Sequence, residues 1–215
     1  MEWDSVFEND NETSRWSSGC SFVDLPILDA DRIGIDFATL SDAPDHLDRA
    51  NVLLNEEKGW IRVNIEGRLQ ELKIELPVAA TPAFAYVPVT IWHDVAYVSG
   101  QLPKVEDEVL IKGKVPQEVT IEQAQECARI CVLQCLACLK QALGDLNRVE
   151  RILKVNGFVN SSPGFDAQPK VIDAASNLLG QIFGEQGRHA RSAVGVAELP
   201  RRSPVEIEFV VALKP

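Results

Sequence analysis

RHARSAVGVAELPRRSPVEIEFVVAL, residues 188–213, is the stretch of sequence that decides the fold. Two runs rich in Val flank a Leu-Pro turn signal, which predicts strands at 188–196 and 205–213 joined as a hairpin near Pro200. Side chains alternate between the two faces of a strand. The second strand therefore has an apolar face and an acidic face, formed by Val205, Ile207 and Phe209 and by Glu206 and Glu208, respectively.

The first strand is predicted to place its polar and small residues beside these glutamates. Val194 and Val196 fit the face that helices would cover, which leaves Arg191, Ala193 and Gly195 on the opposite face. A polar sheet face of this kind is most simply interpreted as solvated.

Two features favour a cleft over a merely solvated face. Small residues at 193 and 195 leave room for a ligand or another backbone. A second strand, predicted at 95–99, leads into the polar residues Ser99, Gly100 and Gln101. We therefore predict a lined cleft on this face.

Regular periodic segments separated by Pro and Gly run from Trp60 to the end of the sequence. Thr120 and Gln123 form a capping box for a helix at 121–143, which Gly144 ends. The other predicted elements are a helical turn at 69–76, a hairpin of strands at 85–91 and 95–99 with its turn at His93 and Asp94, a strand at 149–159 and a helix at 169–183. This order predicts an α+β, or mixed α/β, domain in which two main helices cover one face of a single mixed sheet.

Residues 1–59 differ in composition, since they are rich in Asp, Glu, Asn and Ser. We predict an acidic, partly ordered N-terminal extension at 1–59 and a domain at 60–215. A short helix capped by Asp42 is predicted within the extension, with an apolar face formed by Leu47, Ala50, Leu53 and Leu54. The extension is also a candidate site for a protein partner.

The net charge is −11 and the isoelectric point is about 4.8. A field of this sign repels nucleic acids and anionic lipid surfaces. No apolar run reaches the ~18 to 20 residues of a membrane span, and the first residues resemble neither a signal peptide nor a transit peptide. We expect a cytoplasmic protein with no nucleic-acid or membrane partner.

Four of the five cysteines fall on the helix predicted at 121–143, and the odd total indicates a reducing compartment. Their spacing makes a stripe along one helix rather than the tetrahedral pocket of a zinc site. We interpret Cys127, Cys131, Cys135 and Cys138 as small core residues and expect no metal site.

Several motifs occur together in the second half of the sequence. They are YVSGQLP at 97–103, GDLNRVERILKVNGFV at 144–159, QPKVIDAAS at 168–176 and GRHARSAVGVAELPRRSPVEIE at 187–208. Their order and wording resemble the Rid family, also called the YjgF/YER057c/UK114 family, over residues 81–215. The resemblance implies a chorismate-mutase-like fold that assembles as a homotrimer around a central β-barrel, with ligand clefts between subunits.

The resemblance also implies roles for individual residues. Arg191 matches the family's carboxylate-binding arginine and Glu206 its water-activating glutamate, so these two are the implied catalytic residues. The other implied substrate-binding residues are Tyr86, Ser99, Gly100, Gln101 and Ala193. Ala193 stands where several deaminases of the family have cysteine. The asparagine of their second helix falls near Asp173, with Ser176 and Asn177 as alternatives, and no role is assigned there.

The activity implied by the resemblance is the hydrolysis of reactive 2-imino or enamino acids to 2-keto acids and ammonia, as in a 2-iminobutanoate/2-iminopropanoate deaminase. This chemistry requires no cofactor, metal or covalent nucleophile. An arginine fork would anchor the substrate carboxylate, and a glutamate would deprotonate the attacking water.

Two other functions stay open from the sequence. A non-enzymatic 2-keto acid sensor would need the same pocket and would look identical. An endoribonuclease, an activity attached to some members of the family, is disfavoured by the acidic charge and by the absence of paired histidines. His93 is predicted in a turn and His189 at a strand edge.

Overall fold

A five-stranded mixed sheet with two long helices on one face forms the centre of the structure. In the computed structural model, which describes residues 52–55, 60–79 and 85–215, the elements in chain order are β1 (Val52–Asn55), β2 (Trp60–Val63), α1 (Ile65–Glu71), β3 (Val89–Trp92), β4 (Val95–Gln101), β5 (Lys104–Val105), β6 (Glu108–Val109), α2 (Ile121–Leu143), β7 (Val149–Asn160), α3 (Gln168–Phe183), β8 (Ala190–Val196) and β9 (Val205–Leu213). The order across the sheet is β3-β4-β9-β7-β8. Strands β7 and β8 are parallel, and the other neighbours are antiparallel. The mixed α/β class is confirmed.

Helix α2 begins and ends where the local sequence signals indicated, and α3 ends at the predicted residue but begins one residue earlier than predicted. Thr120 Oγ1 accepts from the Gln123 backbone N–H at 3.2 Å, and the Gln123 side chain accepts from the Thr120 N–H at 3.0 Å, which completes the capping box of α2. Gly144, with a φ of 78°, ends that helix in a conformation that a glycine adopts without strain. Pro169 sits in the first turn of α3, where its missing N–H costs no helical hydrogen bond.

The core lies between these helices and one face of the sheet. The alternate residues of β9 are all buried there, namely Val205, Ile207, Phe209, Val211 and Leu213. The four cysteines of α2 belong to the same buried cluster, which confirms that they are core residues. The thiols of Cys131 and Cys135 approach the carbonyl oxygens of Val205 and Ile207 at 3.7 and 3.4 Å. We call the other side of the sheet, where Glu206 and Glu208 lie, the open face.

The predicted hairpin between β8 and β9 is wrong, because β7 lies between them. After β7 the chain crosses over through α3 and returns as β8, parallel to β7, so this unit is β-α-β. The turn at Pro200–Arg202 does reverse the chain, but the returning strand pairs with the far side of β7. A turn signal indicates a change of direction and does not select the partner strand.

The faces predicted for β8 are inverted as a result. Arg191 and Ala193 are the register partners of Val155 and Gly157 on β7, and Val155 is fully buried in the core. Paired residues on neighbouring strands share a face, so Arg191 and Ala193 lie on the helix-covered side. Val194, predicted beneath the helices, is instead 45% exposed on the open face.

Three local predictions need smaller corrections. The strand predicted at 85–91 begins only at Val89, although the turn at His93 and Asp94 is confirmed. The helical turn predicted at 69–76 is α1, which begins earlier, at Ile65, behind the cap Asn64. The helix predicted to include Leu53 and Leu54 is wrong at those residues, which form β1 and pair with β2. The rest of that helix lies outside the described residues.

No helix in the described ranges combines the length and the apolar character that crossing a membrane requires.

Candidate functional site

The carboxylate of Glu206 lies directly over the backbone of Gly100 on the open face. A Cβ atom built on Gly100 would be 2.0 Å from Glu206 Oε1, so a glycine is needed for the carboxylate to occupy this position. The two residues meet because the β4–β9 pairing contains a bulge at Ser99 and Gly100. These two residues of β4 lie opposite a single residue of β9. Bulges of this kind re-aim side chains and often lie beside active sites.

Ser99 ties this end of β4 to the segment that carries Tyr86. The Ser99 hydroxyl donates to the carbonyl oxygen of Val87 at 2.8 Å, and the Ser99 N–H donates to that of Pro88 at 2.9 Å. Tyr86 precedes these residues and is half-exposed. Buried Gln101 donates from Nε2 to the Ser99 carbonyl at 3.0 Å. Ser99, Gly100 and Gln101 therefore form the end of β4, Glu206 covers it at Gly100, and Ser99 holds the segment after Tyr86 beside it.

Glu206 and its neighbour Glu208 are in different electrostatic situations. Glu208 Oε1 accepts from Asn156 Nδ2 at 2.8 Å. No hydrogen bond or ion pair within the described ranges engages the Glu206 side chain. Burial raises the pKa of Glu206 above its ordinary value, and the negative charge of Glu208 raises it further. A carboxylate with a raised pKa and no cationic partner is suited to exchange a proton with a ligand.

Arg191 is anchored from one side of its guanidinium group. Its Nη1 donates to Asp173 Oδ1 at 2.7 Å and to Ser176 Oγ at 3.0 Å, and both partners lie on α3. These two bonds use both hydrogens of Nη1. In the described part of the chain, no hydrogen bond occupies Nε or Nη2. The Nε–Nη2 edge is one that a carboxylate can engage with two parallel hydrogen bonds.

A cleft of about 500 Å³ opens beside Arg191, lined by Ser176, Gly180, Gly187, Arg188, His189 and Arg191. Two of the six lining residues, Arg188 and Arg191, carry a guanidinium group. This end of an otherwise acidic chain is therefore suited to an anionic ligand.

The small residues of β8 serve the packing of α3. A Cβ atom on Gly195 would come within 2.7 Å of Gln168 Nε2, at the first residue of α3. Ala193 packs against the core on the same side. The space predicted for a ligand at these positions is occupied by the chain itself.

The structure thus brings the predicted site residues together in two groups. Glu206 lies over Gly100 on the open face, and Ser99 ties this strand end to the segment that carries Tyr86. Gln101 is the register partner of the buried Ile207 and is itself buried, so it faces the helix-covered side. Arg191 and Ala193 lie on the helix-covered side.

Sequence reasoning assigned no role to the residues that anchor Arg191. Asp173 and Ser176 are three residues apart on α3, and helical spacing places such residues on one face. His189 and Arg191 are two residues apart, a spacing that in extended chain also gives a shared face. These spacings place each pair on one face of its own element, but the sequence does not show that the two pairs meet. For Asn156, the hydrogen-bond partner of Glu208, the sequence contains no comparable spacing.

No group of His, Cys, Asp or Glu side chains in the described ranges has the geometry of a metal site. For three of the α2 cysteines, burial raises the thiol pKa, to about 12 for Cys127 and well above the ordinary value for Cys131 and Cys135. A buried thiol of raised pKa resists the deprotonation that metal binding requires.

Comparison with known proteins begins with a family match. Residues 66–211 match the model of the family described as "YjgF/chorismate mutase-like, putative endoribonuclease". The crystal structure of a protein of unknown function from Agrobacterium tumefaciens is 48% identical, covers 70% of this chain and 92% of its own, and superposes with a TM-score of 0.65.

Two further relatives give different information. "Protein TCP17" of Trypanosoma cruzi is 45% identical over 150 residues, 69% of this chain and 94% of its own length. A protein of Dermatophagoides farinae named 2-iminobutanoate/2-iminopropanoate deaminase is 28% identical over 142 residues, 66% of this chain and 95% of its own. An activity is named only for the more distant relative.

Proposed function

This chain belongs to the YjgF/chorismate mutase-like family, and on that premise we propose that it hydrolyses 2-imino acids to 2-keto acids and ammonia. The observation that carries the proposal is a carboxylate-binding edge on Arg191 combined with an unpaired, half-buried carboxylate at Glu206. The name of the mite relative points to the same reaction.

Arg191 would bind the substrate carboxylate through Nε and Nη2. A bidentate, charge-assisted pair fixes both the position and the plane of the carboxylate. The C2 atom is bonded directly to that carboxylate, so this anchor also orients the imine carbon. Positioning of this kind contributes to rate because the attacking water meets a fixed target.

Glu206 would act as the general base. It takes a proton from a water molecule as the water oxygen bonds to C2, and the electron pair of the C=N bond moves to nitrogen. The same carboxyl gives that proton to nitrogen, which yields a neutral carbinolamine. Glu206 then takes the proton of the new hydroxyl group and passes it to nitrogen, so that the C–N bond breaks, ammonia leaves and the C2 carbonyl forms. A raised pKa makes Glu206 a stronger base than an exposed glutamate and a competent acid afterwards.

We further propose that each cleft is formed between two subunits of a homotrimer. Arg191 lies at the edge strand β8, on the helix-covered side, and Glu206 lies on the open face. One small substrate can contact both only if they come from different copies of the chain. Apolar side chains exposed on the open face, among them Tyr97, Trp92 and Val194, fit a surface that another copy covers.

The reaction is tested by generating a 2-imino acid in situ with an amino-acid oxidase and timing the release of keto acid with and without the full chain. We expect the protein to accelerate release, Glu206→Gln and Arg191→Ala to abolish the acceleration, and Arg201→Ala to behave as the original chain. Arg201 is a suitable control because its side chain donates to the Asp107 carbonyl and lines neither group of site residues.

The same samples separate an enzyme from a binding protein. Pyruvate binding that depends on Arg191, without any acceleration, would assign the chain to the class of 2-keto acid sensors. Absence of both acceleration and pyruvate binding would remove the proposed site altogether.

A further inference from the structure

We propose that His189 and Ser176 are positioning residues that hold the Arg191 guanidinium in its carboxylate-binding orientation. The inference rests on the proposed function, because it concerns how the same arginine is presented to its ligand. Neither residue needs to touch the substrate for this role.

The tautomer of His189 follows from its contacts. Its Nδ1 lies 2.6 Å from the carbonyl oxygen of Gly187. A carbonyl oxygen can only accept, so Nδ1 carries the hydrogen, and Nε2 of the neutral ring is an acceptor. Burial lowers the pKa of His189, and the positive charge of Arg191 lowers it further, against the opposing effect of the Gly187 hydrogen bond. The neutral ring is therefore favoured at neutral pH.

The direction of every hydrogen bond between His189 and Arg191 is then determined. Ser176 Oγ lies 3.1 Å from His189 Nε2, an acceptor, so the serine hydroxyl donates there. Arg191 Nη1 has no acceptor capacity, so it donates to Ser176 Oγ at 3.0 Å. A single chain of donors runs from Arg191 through Ser176 and His189 to the Gly187 carbonyl. We call it the His189 relay.

The His189 relay turns Ser176 into an oriented acceptor. With its own hydrogen committed to His189, the Ser176 oxygen presents a lone pair to Nη1. Asp173 holds the second Nη1 hydrogen at 2.7 Å, but that carboxylate is 55% exposed and a lone ion pair at such a site is weak. Two anchors fix the plane of the guanidinium group, whereas Asp173 alone would leave it free to rotate. A preformed fork spares the ligand the cost of ordering it.

A purely structural role is the alternative to be tested. His189 also ties the connection between α3 and β8, where Gly187 packs tightly on the Leu179 carbonyl. If His189 served this packing alone, its loss would lower stability and leave ligand affinity in the folded protein unchanged.

Three variants of the full chain distinguish these roles. His189→Phe keeps the ring volume and removes both ring nitrogens, Ser176→Ala removes the middle member, and His189→Gln restores an acceptor for Ser176. Ser162→Ala is the matched serine control, since Ser162 contacts Gln117 in a different part of the chain. Pyruvate affinity is measured by calorimetry well below each melting temperature.

We expect His189→Phe and Ser176→Ala each to weaken pyruvate binding by about tenfold, the effect of one lost hydrogen bond on the anchor. The double variant should be no weaker than either single variant, because the relay acts as a unit. His189→Gln should recover most of the affinity, and Ser162→Ala should bind normally. Unchanged affinity in folded His189→Phe would overturn the proposal.

Nitrogen NMR provides a readout that does not depend on the reaction. We expect the Nδ1–H tautomer of His189 in the original chain and an Arg191 Nε–H signal that exchanges faster in His189→Phe and Ser176→Ala. An Nε2–H tautomer, or unaltered Arg191 exchange in both variants, would refute the relay. If the original chain bound no pyruvate, the proposed function would fail while these NMR results still decided whether the relay positions Arg191.

Discussion

Arg191 and Glu206 lie on opposite faces of one β-sheet. Arg191 is the register partner of Val155, on the helix-covered side, and its guanidinium contacts α3. Glu206 is the register partner of Phe158, one residue from the buried Ile207, and its carboxylate covers Gly100 on the open face. A sheet therefore separates the two groups that the proposed reaction needs together. In the proposed assembly two copies of the chain would overcome this separation, with the edge of one copy meeting the open face of another.

The first prediction concerns assembly. We expect a homotrimer, the assembly that the family resemblance implies. Trp92 and Tyr97 expose 72% and 53% of their surface on the open face of a single chain, which fits a face that closed symmetric assembly covers. Light scattering coupled to gel filtration should give about three times the chain mass of 23.7 kDa. A monomer at micromolar concentration that still binds pyruvate would rule out a site between subunits.

The second prediction concerns the pH dependence of the reaction. Glu206 must be ionised to act as a base, so activity should rise with pH through its raised pKa. Glu208→Gln removes a neighbouring negative charge, lowers the pKa of Glu206 and should move the acid limb of the rate profile to lower pH. Burial remains, so the limb should stay above the ordinary glutamate value of 4.5.

Two controls accompany this profile. Glu150→Gln, an exposed change elsewhere on β7, should leave the acid limb in place. Glu206→Gln should melt no lower than the original chain at neutral pH. The raised pKa means that the folded state binds this proton more tightly than the unfolded state, so ionised Glu206 costs folding free energy above its pKa. An acid limb that Glu208→Gln leaves unmoved would show that another group titrates.

The third prediction concerns the contact between Gly100 and Glu206. Gly100→Ala places a methyl group 2.0 Å from the present position of Glu206 Oε1. The end of a glutamate side chain can move more cheaply than a strand, so we expect the fold to persist and the carboxylate to shift. Turnover should fall towards that of Glu206→Gln, and adding Gly100→Ala to Glu206→Gln should cost little more. Additive losses would mean that Gly100 matters for another reason.

Features that depend on neighbouring residues in the sequence were mostly predicted correctly, and features that depend on distant residues were mostly not. Capping residues and helical periodicity are local, so both ends of α2 and the C-terminal end of α3 were placed to the residue. The partner of β8 depends on a crossover through α3, which no short motif in 188–213 encodes. That one error inverted the faces of β8 and placed Arg191 beside Glu206 in a single chain.

The site shows the same division. The residues around Gly100 were identified together because they share one turn motif, and the structure gathers them at one strand end. Asp173 and Ser176 approach Arg191 only when α3 packs on β8. Their role depends on this tertiary contact, which no local sequence signal indicates.

The fourth prediction concerns the thiols of α2. They are buried, and the pKa of Cys127 is raised to about 12. In a Cys20→Ser chain, which leaves these four as the remaining thiols, a thiol reagent should react only as fast as the protein opens. Rapid labelling under native conditions would contradict core packing. Elemental analysis should find no zinc. One equivalent of zinc per chain, lost together with stability on chelation, would also contradict core packing.

The fifth prediction uses the separation of Arg191 and Glu206 directly. Arg191→Ala and Glu206→Gln should each be inactive as pure proteins. In a trimer assembled from both variants, some clefts combine the intact Arg191 of one subunit with the intact Glu206 of its neighbour. Random mixing of equal amounts makes roughly a quarter of the clefts complete, so about that fraction of the original rate should return.

Co-refolding the two variants produces the mixed trimers, and each variant refolded alone is the control. Mixing after separate assembly should restore activity only as fast as subunits exchange, which separates complementation from an additive effect in solution. If both groups acted within one chain, every cleft would retain a defect and no mixture could recover activity. A co-refolded sample as inactive as its components, yet trimeric by light scattering, would therefore place the reaction elsewhere than between Arg191 and Glu206 of neighbouring subunits.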